Sequence, residues 1–362
     1  MRARFLFLLL LIAAPALAQE TAITWKDAKS LTIEGQGWSE TDSPYDRFPA
    51  KAKTTVRSAV WSLSRHSAGI CVRFRSSATA IHAKWKLTSA KLETPHMPAT
   101  GVSGIDLYAQ DDSGRWRWVA NGRPSKQENS SKLVSGLTAR HRQFLLYLPL
   151  YNGVTEVQIG VPEGSLLEPA TPRPTGKVKP IVFYGTSITQ GGCASRPGMV
   201  HTAIVGRWLN RPVVNLGFSG NGRMEKEVAE LMTEIDAACY VIDCLPNINA
   251  KHVTERTATV VKILKTARPA VPIVLVEDRN YTDSVFVASK AKRNRDSQEA
   301  LRIEFGKLTK SGVKGLFYLE GKELLGDDGE GTVDSSHPTD LGFMRQAKAF
   351  HKVLKPILTP NH

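Results

Sequence analysis

Apolar and polar positions fall into three regimes along the chain. Phe5 to Ile12 is an unbroken apolar run preceded by Arg2 and Arg4. From Thr55 onward, short alternating or β-branched runs recur between turn signals: Thr55 to Trp61, Gly69 to Phe74, Ala80 to Trp85, Gly104 to Tyr108, Arg115 to Val119 and Phe144 to Leu148. Strands this short and closely spaced, with almost no helical periodicity, predict a β-sandwich. Beyond residue 180 the rhythm changes. Five apolar runs, Pro180 to Tyr184, Pro212 to Leu216, Cys239 to Asp243, Pro272 to Val276 and Gly315 to Leu319, alternate with helix-like segments near 198–209, 224–235, 253–268, 290–310 and 339–355. Buried strands joined through helices require crossover connections, hence a parallel sheet covered on both faces.

Between the second and third regimes, Glu168 to Pro180 holds four prolines, which reads as a stiff linker or a strap along the surface. The predicted organisation is an export signal over residues 1–18, a β-sandwich domain over 19–167, a linker over 168–179 and an α/β domain over 180–362. The apolar run at the start is too short to span about 30 Å of hydrocarbon. Ala16 and Ala18 present the small-x-small pattern of a cleavage site, and Gln19 rather than Cys follows it. The expected mature protein is exported, periplasmic or secreted, with no stable membrane insertion.

The formal net charge is +14, and the part contributed outside the leader is shared equally between the two halves. With no basic run and no recognisable module, the chain does not read as a nucleic-acid binder. Cys71, Cys193, Cys239 and Cys244 are too few and scattered for a disulfide framework, although a Cys193–Cys244 bridge is conceivable. No Cys/His group has zinc-site spacing, and Asp327 to Glu330 lacks the full calcium-loop pattern. Neither a metal nor a cofactor is expected.

Ligands of a parallel α/β sheet bind beyond the carboxyl ends of its strands, so segments just after strands are the places to look for chemistry. The first strand runs into Gly185 to Gly192. Such a glycine-rich turn can cradle phosphate or expose a nucleophile, or be an ordinary strand-to-helix turn. No Lys follows Gly191 or Gly192, as a phosphate loop would need, and Gly-x-Gly-x-x-Gly is absent. The segment also departs from the Gly-x-Ser-x-Gly elbow, because Thr189 stands at the second glycine. A nucleophilic Ser187 would need a base, and that base an orienting acceptor. Asp334 and His337, three residues apart in a turn, supply both types, although a helix-capping turn has the same composition. Gly220 follows the second strand and Asn247 the third, where a backbone N–H and a side-chain amide can meet a developing oxyanion.

Taken together, Gly185-Thr-Ser187-Ile-Thr, the Gly220 segment, Asn247 and Asp334-x-x-His337 resemble the four motif blocks of the SGNH (GDSL-type) hydrolases. Gly104-Ile-Asp-Leu-Tyr108 matches the signature of a bacterial subfamily with an amino-terminal β-domain. The resemblance implies a three-layer, flavodoxin-like α/β/α domain with a five-stranded parallel sheet. It further implies that Ser187 is the nucleophile, His337 the general base and acid, and Asp334 its orienter. Ser187, Gly220 and Asn247 would form the oxyanion hole. Thr186 departs from the usual Asp, and Asn247 lacks the Asp that usually follows it.

The expected activity is that of an exported serine esterase removing short acyl groups, acetyl first, from an oligosaccharide, polysaccharide or other small-molecule ester, without cofactor. The alternatives are a lysophospholipase, thioesterase or acyltransferase of the same family, or an inactive sugar-binding protein. Arg196 and Glu277 are candidate substrate contacts, Trp116 and Trp118 a candidate sugar platform, and His96 a candidate interdomain contact. The oligomeric state cannot be read from the chain.

Overall fold

A computed structural model of the chain describes residues 22–359; the expected export signal, residues 1–18, lies outside them. The carboxyl half is built on five parallel strands: β1 (Ile181–Gly185), β2 (Val213–Gly217), β3 (Cys239–Asp243), β4 (Ile273–Val276) and β5 (Leu316–Leu319). They lie in the order β2-β1-β3-β4-β5, the flavodoxin-like arrangement. Successive side chains on a strand face opposite sides, and each side has its own core. Val182, Tyr184, Leu216, Tyr240, Ile242 and Leu275 pack with Val228, Met232, Val260, Leu264 and Leu301 from the helices on one side. Ile181, Phe183, Val241, Val274 and Val276 pack with Ile204, Val205, Phe350 and Leu354 on the other. The helix Ala250–Ala267 starts three residues before its expected position because the Asn249 side chain caps it, accepting from His252 N at 3.1 Å.

The amino-terminal part is a two-sheet antiparallel sandwich. One sheet runs 23–27, 154–162, 80–87, 128–135; the other runs 167–169, 71–76, 142–147, 105–110, 116–122, with 32–34 also pairing to 71–76. Ile81, Ala83 and Trp85 of the first sheet share a core with Phe74, Leu107 and Phe144 of the second. The start of the proline-rich stretch is itself a strand, Leu167–Pro169, paired antiparallel with residues 74–76.

Thr55 to Trp61, expected as a strand, is a correction. It forms the end of a turn and part of the helix Ser58–Ser64. The segment faces the other domain rather than the sandwich: Phe48, Ala52, Val56 and Val60 are buried in the same cluster as Phe218, Met224 and Val228. An apolar spacing of four serves a helix packed on that surface better than a strand's alternation of two. The two halves of the chain thus share a core. Among the described residues no helix is long and apolar enough to cross a membrane.

Candidate active site

The carboxyl ends of β1, β2 and β3 converge at the point where strand order reverses, and each contributes a loop there. Ser187 is the first residue of the short helix Ser187–Gln190, which Gly191 ends in a left-handed conformation. Thr186 is the N-cap; its hydroxyl accepts from Ile188 N at 3.3 Å, a capping bond that its Oγ can accept as a carboxylate would. The turn is possible because neighbouring backbones approach closely. A Cβ on Gly222 would stand 1.7 Å from Gly185 O, and one on Gly217 2.1 Å from Gln190 N.

Ser187 Oγ lies 2.8 Å from His337 Nε2. His337 Nδ1 lies 2.7 Å from Asp334 Oδ2, and Asp334 Oδ1 accepts from the backbone N–H groups of His337 at 2.8 Å and Ser336 at 3.2 Å. Partial burial raises the Asp334 carboxyl, but the His337 and Ser336 hydrogen bonds together with the His337 ring outweigh it and hold the group below its usual range. Ser335, between the two, sits at φ +72, an uncommon conformation for a residue with a side chain. Lys290 donates to its Oγ at 2.9 Å and Thr282 N to its carbonyl at 3.1 Å, fixing the turn.

Among the described residues, neither Ser187 N nor Gly220 N donates to a protein acceptor. Gly220 is exposed at φ +68. The Asn247 amide is oriented by its neighbours. With Oδ1 toward the Gly220 loop it accepts from Asn221 N at 3.1 Å and Gly222 N at 3.2 Å, leaving Nδ2 on the side where acceptors stand. The structure therefore brings Ser187, His337 and Asp334 into one hydrogen-bonded chain and ties Asn247 to the Gly220 loop.

Arg196 and Glu277, the candidate substrate contacts, are both held by protein partners. Arg196 donates to Asp106 Oδ2 at 2.7 Å and to Tyr108 Oη at 2.6 Å, so the Gly-x-Asp-Leu-Tyr signature engages it at the domain boundary. Glu277 is 2% exposed and accepts from Tyr318 Oη and Arg302 at 2.7 Å and from Gly321 N at 2.9 Å. Its carboxylate is fully used away from the nucleophile. Trp118 is half exposed; its Nε1 donates to Asp106 Oδ1 at 2.8 Å, with Arg196 over its ring. Trp116 packs beside the buried Tyr108 and Tyr147. Met97 of the His96 segment is buried against Ile188, Ala194 and Phe343, and all four cysteines are free and buried.

Several supporting residues carried no motif. Arg293 donates to the carbonyls of Leu245, Pro246 and Ile248, at 3.3, 2.9 and 3.3 Å, pinning the loop that holds Asn247 where the usual acid is missing. Buried Asp243 accepts from Thr189 Oγ1 at 3.1 Å and pairs with buried Arg279. Tyr151, from the amino-terminal domain, donates to Ser187 O at 3.2 Å. Gln190 links three segments: Oε1 accepts from Ser219 N at 3.0 Å, and Nε2 donates to Leu150 O and to His66 Nδ1, each at 3.0 Å.

That last bond requires neutral His66. Burial, aided by the charge of Arg47, pushes the ring down to about 4 from 6.5. Below pH 6.5 the unfolded chain therefore binds a proton that the folded chain refuses until about pH 4. This contribution to stability is complete above pH 6.5 and is lost as pH falls from 6.5 towards 4. Wild-type Tm should drop across that window more steeply than Tm of His66→Gln; parallel curves would refute the assignment.

Known proteins resemble the chain in both halves. The GDSL-like Lipase/Acylhydrolase family matches residues 178–355, and the N-terminus of SGNH-hydrolase-type esterases matches residues 23–167. A Bacteroides ovatus protein described as a GDSL-like lipase is 34% identical, with 92% of this chain and 98% of that one covered and a TM-score of 0.86. A salicylyl-acyltransferase from a tetracycline biosynthetic pathway shares the fold at 18% identity, with 92% and 97% coverage and a TM-score of 0.73. A family two carbohydrate esterase from Cellvibrio japonicus shares it at 13% identity, with 93% and 98% coverage and a TM-score of 0.60. No curated protein matches the chain.

Proposed function

The chain belongs to the GDSL-like lipase/acylhydrolase family and is a serine esterase of the SGNH type, and on that premise we propose that it removes acetyl groups from carbohydrates using Ser187, His337 and Asp334. The observation that carries the mechanism is the continuous Ser187–His337–Asp334 hydrogen-bond chain at the sheet's carboxyl edge. Ser187 Oγ attacks the ester carbonyl as His337 Nε2 takes its proton. Asp334 holds the Nδ1–H tautomer and stabilises the cation. The carbonyl oxygen becomes an oxyanion facing the N–H groups of Ser187 and Gly220 and the amide of Asn247. Collapse breaks the ester C–O bond and expels the sugar oxygen with the proton from His337. Water then attacks the acyl-enzyme, its proton passing through the same imidazole, releasing acetate and restoring Ser187.

Four features support a short acyl group on a sugar. Behind the nucleophile, Ile188, Leu150, Val200 and Phe343 are at most 2% exposed and packed together, so they present no open apolar groove for a long chain. The partly exposed side chains beside it, Ser219, Asn221 and Asn247, are polar. On the loop bonded to the Ser335 carbonyl, Phe286 is 89% exposed and offers a flat face for a sugar ring. The carbohydrate esterase fold is an analogy in the same direction. The leader pattern supports export, with a mature chain beginning at Gln19, as its mass would report.

On this reading, 4-nitrophenyl acetate is cleaved with a kcat/KM at least about tenfold above that for the octanoate. Phe286→Ala raises KM for acetylated oligosaccharides about tenfold, the size of one aromatic contact, and leaves 4-nitrophenyl acetate unchanged. A preference for octanoate would redirect the reading to lipids, and an indifferent Phe286→Ala would remove the sugar contact.

A further inference from the structure

Three residues far apart in the sequence meet beside the nucleophile. His96 stands on a tight turn of the amino-terminal domain, closed by the Thr94–Met97 bridge and anchored by buried Met97. Cys193 follows Gly191 and Gly192 after the Ser187 helix. His337 comes from near the carboxyl end. One ligand atom from each, the Cys193 Sγ and a nitrogen of either ring, lies within 4.8 Å of the other two, and the two imidazoles have centroids 5.8 Å apart.

A second observation concerns Cys193 itself. Its φ is +74, a conformation that glycine adopts freely and a side chain does not. Strain of this kind, held in place beside reacting groups, points to a use for the side chain. The thiol is 6% exposed and, among the described residues, forms no disulfide. It has no part in the acyl transfer described above.

We propose that His96, Cys193 and His337 form a binding site for zinc, or another borderline-soft divalent cation, whose occupancy switches the esterase off. One thiolate and two imidazoles suit zinc and not the hard cations calcium or magnesium. A tetrahedral ion with bonds of about 2.0–2.3 Å holds its ligand atoms about 3.3–3.6 Å apart. The cluster closes with movement of roughly an ångström, which the exposed His96 ring can supply. His337 has one nitrogen to give, because Nδ1 faces Asp334 at 2.7 Å. That nitrogen is Nε2, whose ring edge lies against the 191–193 turn: a Cβ on Gly192 would be 3.1 Å from His337 Cδ2. Its single lone pair binds either the cation or the Ser187 proton. On binding, the Cys193 S–H proton passes to solvent and the thiolate forms the metal–sulfur bond.

The inhibition rests on His337 being the base, whereas the binding does not, and the test separates the two. Cobalt(II) added to the mature protein should give a thiolate-to-metal charge-transfer band in the near ultraviolet. The band should survive in Ser187→Ala and vanish in Cys193→Gly, a variant that relieves the backbone strain. Zinc should inhibit 4-nitrophenyl acetate hydrolysis reversibly, with EDTA restoring it and magnesium having no effect. Cys193→Gly and His96→Ala should keep basal activity and need about 10–100-fold more zinc for half-inhibition, the scale seen when even a supporting partner of a metal ligand is lost. A wild-type protein without the cobalt band, or equal zinc sensitivity in Cys193→Gly, overturns the site. If no ester is hydrolysed but the band appears, the site stands and the esterase mechanism fails.

Discussion

Ser187→Ala should lower kcat for 4-nitrophenyl acetate about 10⁴-fold or more while leaving Tm within about 2 °C of the wild type. The first expectation follows from what the hydroxyl does: without it no acyl-enzyme forms, and only binding and the oxyanion donors remain to assist water. The second follows from what it does not do. Its hydrogen bond to His337 Nε2 at 2.8 Å is a single contact of about 1 kcal/mol net, and alanine fits the first helical position well. His337→Ala should be as damaging, and the Ser187→Ala/His337→Ala double variant scarcely worse than either single one, because the residues act as a unit. Activity of Ser187→Ala within tenfold of the wild type would assign the nucleophile elsewhere. Multiplicative losses in the double variant would break the link between serine and imidazole.

Where the chain could be read correctly, the reason is local. The strands β1 to β4 are runs buried on both faces, so hydrophobicity alone marks them, and the run Cys239–Asp243 coincides with its strand to the residue, whereas β5 at the sheet edge leaves Phe317 exposed. Ser187 and His337 belong to short motifs, and the strand-end rule says where such motifs meet. What escaped depends on partners distant in sequence. The run Thr55 to Trp61 has the composition of a strand, but its helix is dictated by Phe218, Met224 and Val228 of the other domain. Arg293 looks like one more charge on an exposed helix, and only the fold shows it pinning three carbonyls around Asn247. Glu277 follows a strand, as a cleft residue should, yet Tyr318 and Arg302 draw it away. The meeting of His96, Cys193 and His337 spans most of the chain, so no local spacing could reveal it.

The Gly-x-Asp-Leu-Tyr signature is the case where a pattern was visible and its purpose was not, and it carries the largest expected effect on stability. Asp106 is fully buried. Its carboxylate accepts from Arg196 and from Gly198 N, at 2.7 and 2.8 Å, across the domain boundary, and from Trp118 Nε1 at 2.8 Å within its own sheet. Asp106→Ala leaves three donors without their acceptor and the guanidinium of Arg196 without its counter-charge. Breaking a buried pair from one side costs about 3–5 kcal/mol, or roughly 4–7 °C in Tm for a chain of this size. Asp106→Leu combined with Arg196→Met should recover much of that loss, because no uncompensated charge remains. Hydrolysis should suffer less than stability. The nucleophile helix has other ties to the amino-terminal domain, through Tyr151 and Gln190, and these do not pass through Asp106. An Asp106→Ala protein with unchanged Tm would show that the pair is not what joins the domains. A double variant no more stable than Asp106→Ala would place the loss in the Gly198 and Trp118 hydrogen bonds instead of the buried charge.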